Sequence, residues 1–266
     1  MKKRFANLCK EDGKTFILAM DHAMIMNIGQ RIQDPRKTVE TAMNSGCDAL
    51  LTNIGTAEYC LDLLNNKGLI IRGDAGTSTM HHSGNCFENS ITTASVEAAN
   101  ALGADAYINM LFTHMPSGEQ DERTLERSAK MADECRKYGM AYLIEAVPGG
   151  FVDPSVQTVD NVAFASRLSV EMGADAVKTV FTNTPDYEEK VVKTCFRPVI
   201  VLGGGTGKTH EALFKSTKDA MNSGCIGVAY GRLVWSDPKM PQLCRALSKI
   251  IHEDISVQEA LEIMKE

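Results

Sequence analysis

Glu171-Met172-Gly173-Ala174-Asp175-Ala176-Val177-Lys178-Thr179-Val180-Phe181 reads as a helix end, a glycine stop and an apolar strand carrying one lysine. Gly173 supplies the left-handed conformation that closes a helix. Strand alternation then sets Ala176, Lys178 and Val180 on one face and Val177, Thr179 and Phe181 on the other. The same grammar recurs along the chain. Ala42-Met43-Asn44-Ser45-Gly46-Cys47 is repeated, residue type for residue type, by Ala220-Met221-Asn222-Ser223-Gly224-Cys225, and each copy precedes an apolar run. Ala101-Leu102-Gly103-Ala104-Asp105-Ala106 is a looser copy. The repeating unit is helix, glycine, strand.

Working outward from these copies, apolar strand candidates fall at 15–20, 48–54, 68–73, 105–112, 140–147, 175–181, 198–203 and 225–230. Amphipathic stretches at about 35–45, 56–65, 87–102, 121–138, 158–172, 186–194 and 209–223 separate them, and two more helices follow the last strand. Alternation of this kind, with no linker or break in composition, predicts an α/β chain folded as a single (β/α)8 TIM barrel over 1–266 rather than an open doubly wound sheet. Several strands are apolar throughout, as parallel strands covered on both faces should be.

Composition narrows the functional classes. A formal net charge of -6, with no long run of Lys or Arg, argues against nucleic acid as a partner. The basic amino terminus lacks an apolar leader region, and no stretch approaches the length of a membrane span. The eight cysteines show no Cys-x-x-Cys pair, so a reduced, soluble, cytoplasmic protein is expected. His81, His82 and His114 have no metal-ligand spacing with other residues, and no metal or cofactor is expected.

In a barrel of this type chemistry is confined to the carboxyl ends of the strands. Those positions are Asp21 and His22, Asn53, 72–77, 112–114, 145–150, Lys178, 203–208 and 230–232. A lysine taken into a strand core has its charged form disfavoured, and the neutral amine is a nucleophile toward carbonyls. The alternative is a lysine near a strand end that snorkels to water. Asp21 shares parity with Ile17 and Ala19 and should face the mouth, too far ahead of the next helix to cap it. A carboxylate there suits proton transfer or a charged lysine partner. Glu145 shares a face with Leu143 and Val147 in an otherwise apolar strand. It is either a catalytic acid or base, or a structural ion-pair partner of Lys178 or an arginine.

Gly203-Gly204-Gly205-Thr206-Gly207-Lys208-Thr209 resembles a nucleotide phosphate loop but has Leu202 where the first glycine is needed. A glycine-rich turn after the seventh strand, with Gly231-Arg232 after the eighth, fits instead the phosphate site that barrels build from these two loops.

Ala19-Met20-Asp21-His22, the 173–179 segment, Gly203-Gly204 and Gly231-Arg232, in this order, resemble the archaeal-type class I fructose-bisphosphate aldolases of the DeoC/FbaB superfamily. Relatives include the autoinducer-2 thiolase and an aldolase-like synthase of aromatic amino-acid biosynthesis. The resemblance implies a Schiff base on Lys178 with a ketose phosphate or a phosphorylated ketone, proton transfer by Asp21, and phosphate held by Gly203, Gly204, Gly231 and Arg232. It also implies a ring-shaped homo-oligomer. One departure stands out. The family carries tyrosine before the proline after strand five, then Arg-Gly, whereas this chain has Val147-Pro148-Gly149-Gly150. Valine donates no proton, so either Glu145 takes that role or the reaction differs. The alternatives are thiolase-like acyl transfer to coenzyme A from a phosphorylated diketone, and a non-catalytic phosphosugar-binding protein.

Overall fold

The computed structural model describes residues 3–24, 32–76, 90–203 and 209–266. The barrel strands are β1 (Thr15–Ala19), β2 (Ala49–Thr52), β3 (Gly68–Arg72), β6 (Ala106–Thr113), β7 (Ala141–Pro148), β8 (Ala176–Thr179), β9 (Val199–Leu202) and β10 (Gly227–Tyr230). They close in the order β1-β10-β9-β8-β7-β6-β3-β2, every adjacent pair parallel. Two short strands, β4 (Asp74–Gly76) and β5 (Ser90–Thr92), pair antiparallel outside the barrel.

The repeat seen in the sequence has a physical cause at each copy. Gly46, Gly103, Gly173 and Gly224 all have positive φ and end the helix before a strand. The aspartate that follows in three copies then reaches sideways. Asp48 Oδ2 accepts from Phe16 N at 2.7 Å, Asp105 Oδ2 from Leu69 N at 3.0 Å and Asp175 Oδ2 from Tyr142 N at 2.9 Å. Each acid at the entry to one strand thus satisfies an amide of the neighbouring strand, where a buried N–H could not go unpaired. The fourth copy has Ile226 instead, whose own amide donates to Val199 O at 2.9 Å.

Alternation divides the apolar residues into two populations. Ile17, Ala19, Leu51, Ile70, Ile108, Leu143, Ala176 and Ile200 fill the barrel, with Phe5 and Leu8 packed beneath them from the turn Lys3–Leu8. Phe16, Leu50, Ile71, Tyr107, Ile144 and Val177 face outward into the helix layer. That layer includes α1 (Pro35–Asn44), α2 (Ile54–Cys60), α3 (Val96–Ala101), α4 (Gly118–Lys137) and α5 (Val159–Glu171). It continues with α6 (Lys193–Cys195), α7 (His210–Asn222), α8 (Arg232–Trp235), α9 (Met240–Glu253) and α10 (Val257–Ile263). Among the described residues no helix is long and apolar enough to cross a membrane.

Three expectations shift. The helix read over 87–102 forms, within the described residues, only at Val96–Ala101, where Ser95 accepts from Ala98 N. Ahead of it Ile91-Thr92, β-branched, joins the β4–β5 pair, and Ser90 Oγ donates to Asp74 at 3.2 Å. The sixth barrel strand ends at Thr179 rather than Phe181, because Tyr187 donates its hydroxyl to Val180 O at 2.8 Å and draws the chain off the sheet. The helix read over 186–194 opens as a π-helical turn, Glu188–Val192, before α6.

We expect Asp175→Ala to lower stability by about 1–3 kcal/mol, the cost of stranding a buried amide, read as a fall in Tm. Asp175→Asn, which keeps an acceptor oxygen, should recover most of that loss.

Candidate active site

The inward parity that fills the barrel with Ile and Ala ends, at the carboxyl side, in charge. Asp21 after β1, Arg72 at the end of β3, Glu145 in β7 and Lys178 in β8 are all buried side chains on that inward parity. Sheet register sets Glu145 beside Lys178 on one side and beside Met110 on the other. Parity could place these residues individually; only closure of the barrel brings them together.

Arg72 is the centre of the cluster. Its Nε donates to Asp21 Oδ2 at 2.8 Å, its Nη2 donates to Glu145 Oε2, and its Nη1 lies 3.4 Å from Asp74 Oδ1. Asp74 is itself tied down, accepting from Met110 N at 2.9 Å and facing Arg127 Nη2 at 3.2 Å. The remaining oxygen of Glu145, Oε1, sits 2.8 Å from Lys178 Nζ. One carboxylate therefore bridges a guanidinium that cannot deprotonate and an ammonium that can.

Electrostatics follow from this sharing. Burial raises the cost of ionising Glu145, yet Lys178 and then Arg72 outweigh it and hold the carboxyl below its ordinary value. Asp21 is likewise opposed by burial and carried below its ordinary value by Arg72, Lys178 and His22. Burial works against the charge on Arg72, but Glu145, Asp21 and Asp74 together raise its pKa. His22, with Nδ1 3.7 Å from Asp21, is pushed downward by burial, which Asp21 only partly offsets. The resting site thus presents ionised carboxylates to the lysine.

The neighbouring rim, after β9 and β10, is built for close approach. A Cβ on Gly231 would lie 2.2 Å from His22 Cε1 and 2.7 Å from Ala19 O, so only glycine fits there. A Cβ on Gly203 would press on Tyr230 Cδ1 at 3.0 Å. Arg232 lines the same cavity as Lys178, and its guanidinium has no carboxylate partner among the described residues. Gly204 and Gly205, assigned to the same phosphate loop, lie outside the described residues, as do His81 and His82. His114 stacks edge-on against Phe164 at 5.8 Å. Among the described residues no cluster of three or more His, Cys, Asp or Glu could hold a metal ion.

Arg72, Asp74 and His22 enter the sequence reading only as carboxyl-end positions, without roles. The available signal is parity: Arg72 follows Ile70 on the inward face, and an inward arginine demands several acids. Which acids it meets depends on strands far away in the chain.

A model of the DeoC/LacD aldolase family matches residues 15–237. The 2-amino-3,7-dideoxy-D-threo-hept-6-ulosonate synthase 1 of Archaeoglobus fulgidus is 33% identical over 263 residues, covering 98% of this chain and 95% of that one. The class 1 fructose-bisphosphate aldolase of Thermoproteus tenax is 27% identical, covering 99% of each chain. A solved structure of a Schiff-base-forming fructose-1,6-bisphosphate aldolase superposes with a TM-score of 0.83 at 28% identity, covering 94% of this chain and 99% of that one.

We expect Arg72→Met to cost about 3–5 kcal/mol, because it leaves buried carboxylates uncompensated, with Arg72→Lys costing less. The lowered values of Asp21 and Glu145 mean that their share of stability is present above the unfolded carboxylate pKa of about 4 and is lost as pH falls through the folded values. Denaturant melts between about pH 3 and 6 should therefore show stability rising with pH, and rising less in Arg72→Met.

Proposed function

Because the chain belongs to the DeoC/LacD family of aldolases, we propose that Lys178 is its Schiff-base lysine and that its substrate is a phosphorylated ketose or ketone. The observation that carries this reading is the 2.8 Å contact between Lys178 Nζ and a Glu145 carboxylate whose other oxygen is held by Arg72. Such a carboxylate is ionised, oriented and within proton-transfer reach of the amine.

The steps follow from that geometry. Lys178 passes a proton to Glu145 Oε1, and the neutral amine adds to the substrate carbonyl. Glu145 returns the proton to the carbinolamine hydroxyl, which leaves as water and generates the iminium. Asp21 removes the proton from the substrate hydroxyl while the adjacent carbon-carbon bond breaks. The electron pair of that bond flows into the iminium, giving an enamine and releasing an aldehyde. Asp21 then delivers its proton to the enamine carbon, and water hydrolyses the iminium to free the ketone and Lys178. Glu145 in this scheme takes over part of the proton traffic that a tyrosine at position 147 would carry.

Phosphate recognition is assigned to Gly203, Gly204 and Gly205 with Gly231 and Arg232. Support comes from the guanidinium of Arg232, which has no carboxylate partner among the described residues, and from Gly203 and Gly231, where backbone rather than side chain lines the rim. We also assign the protein to the cytoplasm and to a ring-shaped homo-oligomer. None of the seven described cysteines forms a disulfide, and Phe164, 56% exposed, and Leu125 leave an apolar strip on the outer helices that a second copy could cover.

Borohydride with a panel of phosphorylated ketones and ketoses should add irreversible mass to Lys178, and Lys178→Ala should abolish the adduct. Absence of any adduct across the panel would overturn the reading. Release of an acyl thioester only when coenzyme A is present would replace aldol cleavage with acyl transfer. Glu145→Gln should slow adduct formation by about 10²–10⁴-fold. Arg232→Ala should act mainly on KM, as expected for a group that binds substrate and transition state alike. Phe164→Asp should reduce the assembly size in sedimentation equilibrium.

A further inference from the structure

Around the closed sheet, β10 and β6 are four strands apart in a ring of eight and therefore face each other across the mouth. Lys178, on β8, lies two strands from each. Arg232 follows β10 directly. The opposite wall carries a separate apolar cluster: Met110 and Phe112 of β6, Met115, and Phe151 and Val152 from the turn after β7. It is distinct from both the barrel filling and the helix layer. Met110 and Phe151 line the cavity shared with Lys178 and Arg232.

The turn that carries Phe151 opens with two glycines whose positions exclude side chains. Gly149 and Gly150 have φ of +68° and +57°, in the region that disfavours side chains. A Cβ on Gly149 would lie 2.4 Å from Val156 Cγ2 and 2.5 Å from Asp153 O. One on Gly150 would meet Met115 Sδ at 3.2 Å. Gly149 N donates to Thr113 O at 2.7 Å, and Val152 N to Gly149 O at 3.2 Å, so Phe151 is folded back toward β6. Just below, Val147 registers beside Phe112, both buried.

Resting on the Schiff-base reading of Lys178, we infer that the aldehyde half of the substrate is uncharged and ends in an apolar group seated on the Met110–Phe151 wall. A substrate whose phosphate is held at Arg232 and whose carbonyl carbon is bonded to Lys178 spans half the mouth. Continued across the mouth, its departing half runs toward β6, the strand opposite β10. A second phosphate placed against Met110 and Phe151 would lose water to side chains that donate no hydrogen bond. An alkyl end placed there buries apolar area instead.

The test begins with dihydroxyacetone phosphate and hydroxyacetone phosphate, each trapped with borohydride and read by peptide mass at Lys178. The ketone giving the larger adduct is then condensed with butanal, propanal and glyceraldehyde 3-phosphate at limiting concentrations. Butanal should exceed glyceraldehyde 3-phosphate in kcat/KM by about tenfold or more. Phe151→Arg should lower that ratio by about fivefold or more, through a slower butanal reaction and a faster phosphorylated one. Phe151→Ser, a milder change, should lower it through the butanal rate alone. A Lys178 adduct accompanied by equal or greater use of glyceraldehyde 3-phosphate would overturn the acceptor assignment while sparing the Schiff-base reading. A ratio unmoved by either Phe151 variant would do the same. No adduct with either ketone would remove the donor on which the assignment rests, and overturn both.

Discussion

A single guanidinium holds the mouth of this barrel together. Arg72 lies wholly inside the protein and bonds Asp21 just after β1 and Glu145 of β7, with Asp74 of the β4–β5 pair alongside. An arginine here could not be neutralised by losing a proton, so the surrounding acids must stay ionised to compensate it. Their ionisation in turn sets the state in which Lys178 finds Glu145. Remove the guanidinium and buried carboxylates repel one another and lose their orientation together.

Stability and chemistry therefore draw on the same contacts at different depths. Below the charged layer the barrel is filled by Ile, Leu and Ala, with Phe5 and Leu8 beneath, and it needs no polar compensation. Above it the mouth is asymmetric. Cationic and glycine-lined features gather at β9 and β10, whereas Met and Phe side chains gather at β6 and β7. Lys178 stands between them, next to a proton acceptor. Such an arrangement orients a substrate with two unlike ends before any bond is made.

The helix-glycine-strand repeat carried most of the fold. Period-two alternation set Ile17 on the face of Asp21, Leu143 on that of Glu145 and Ala176 on that of Lys178, and all three apolar residues fill the barrel, because in a barrel one face of every strand is enclosed. The same parity pointed Asp21, Glu145 and Lys178 inward. Where reading by element failed, the cause was a contact from elsewhere. Tyr187 takes Val180 off the end of its strand, and Asp74 draws Ser90 into a short strand where a helix was expected.

The sequence by itself determined the succession of elements, the inward face of each strand and the presence of one lysine among small apolar neighbours, since all of these depend on residues a few positions apart. Closure decided the rest. Arg72 meets Glu145 across 73 positions and Asp21 across 51, and no local pattern encodes either pairing. Both readings of Glu145 turn out to share one geometry: the carboxylate is a structural partner of Arg72 through one oxygen and a neighbour of the lysine through the other. The apolar wall at Phe151 is likewise a tertiary product, because two left-handed glycines fold a residue after β7 back onto the side chains of β6.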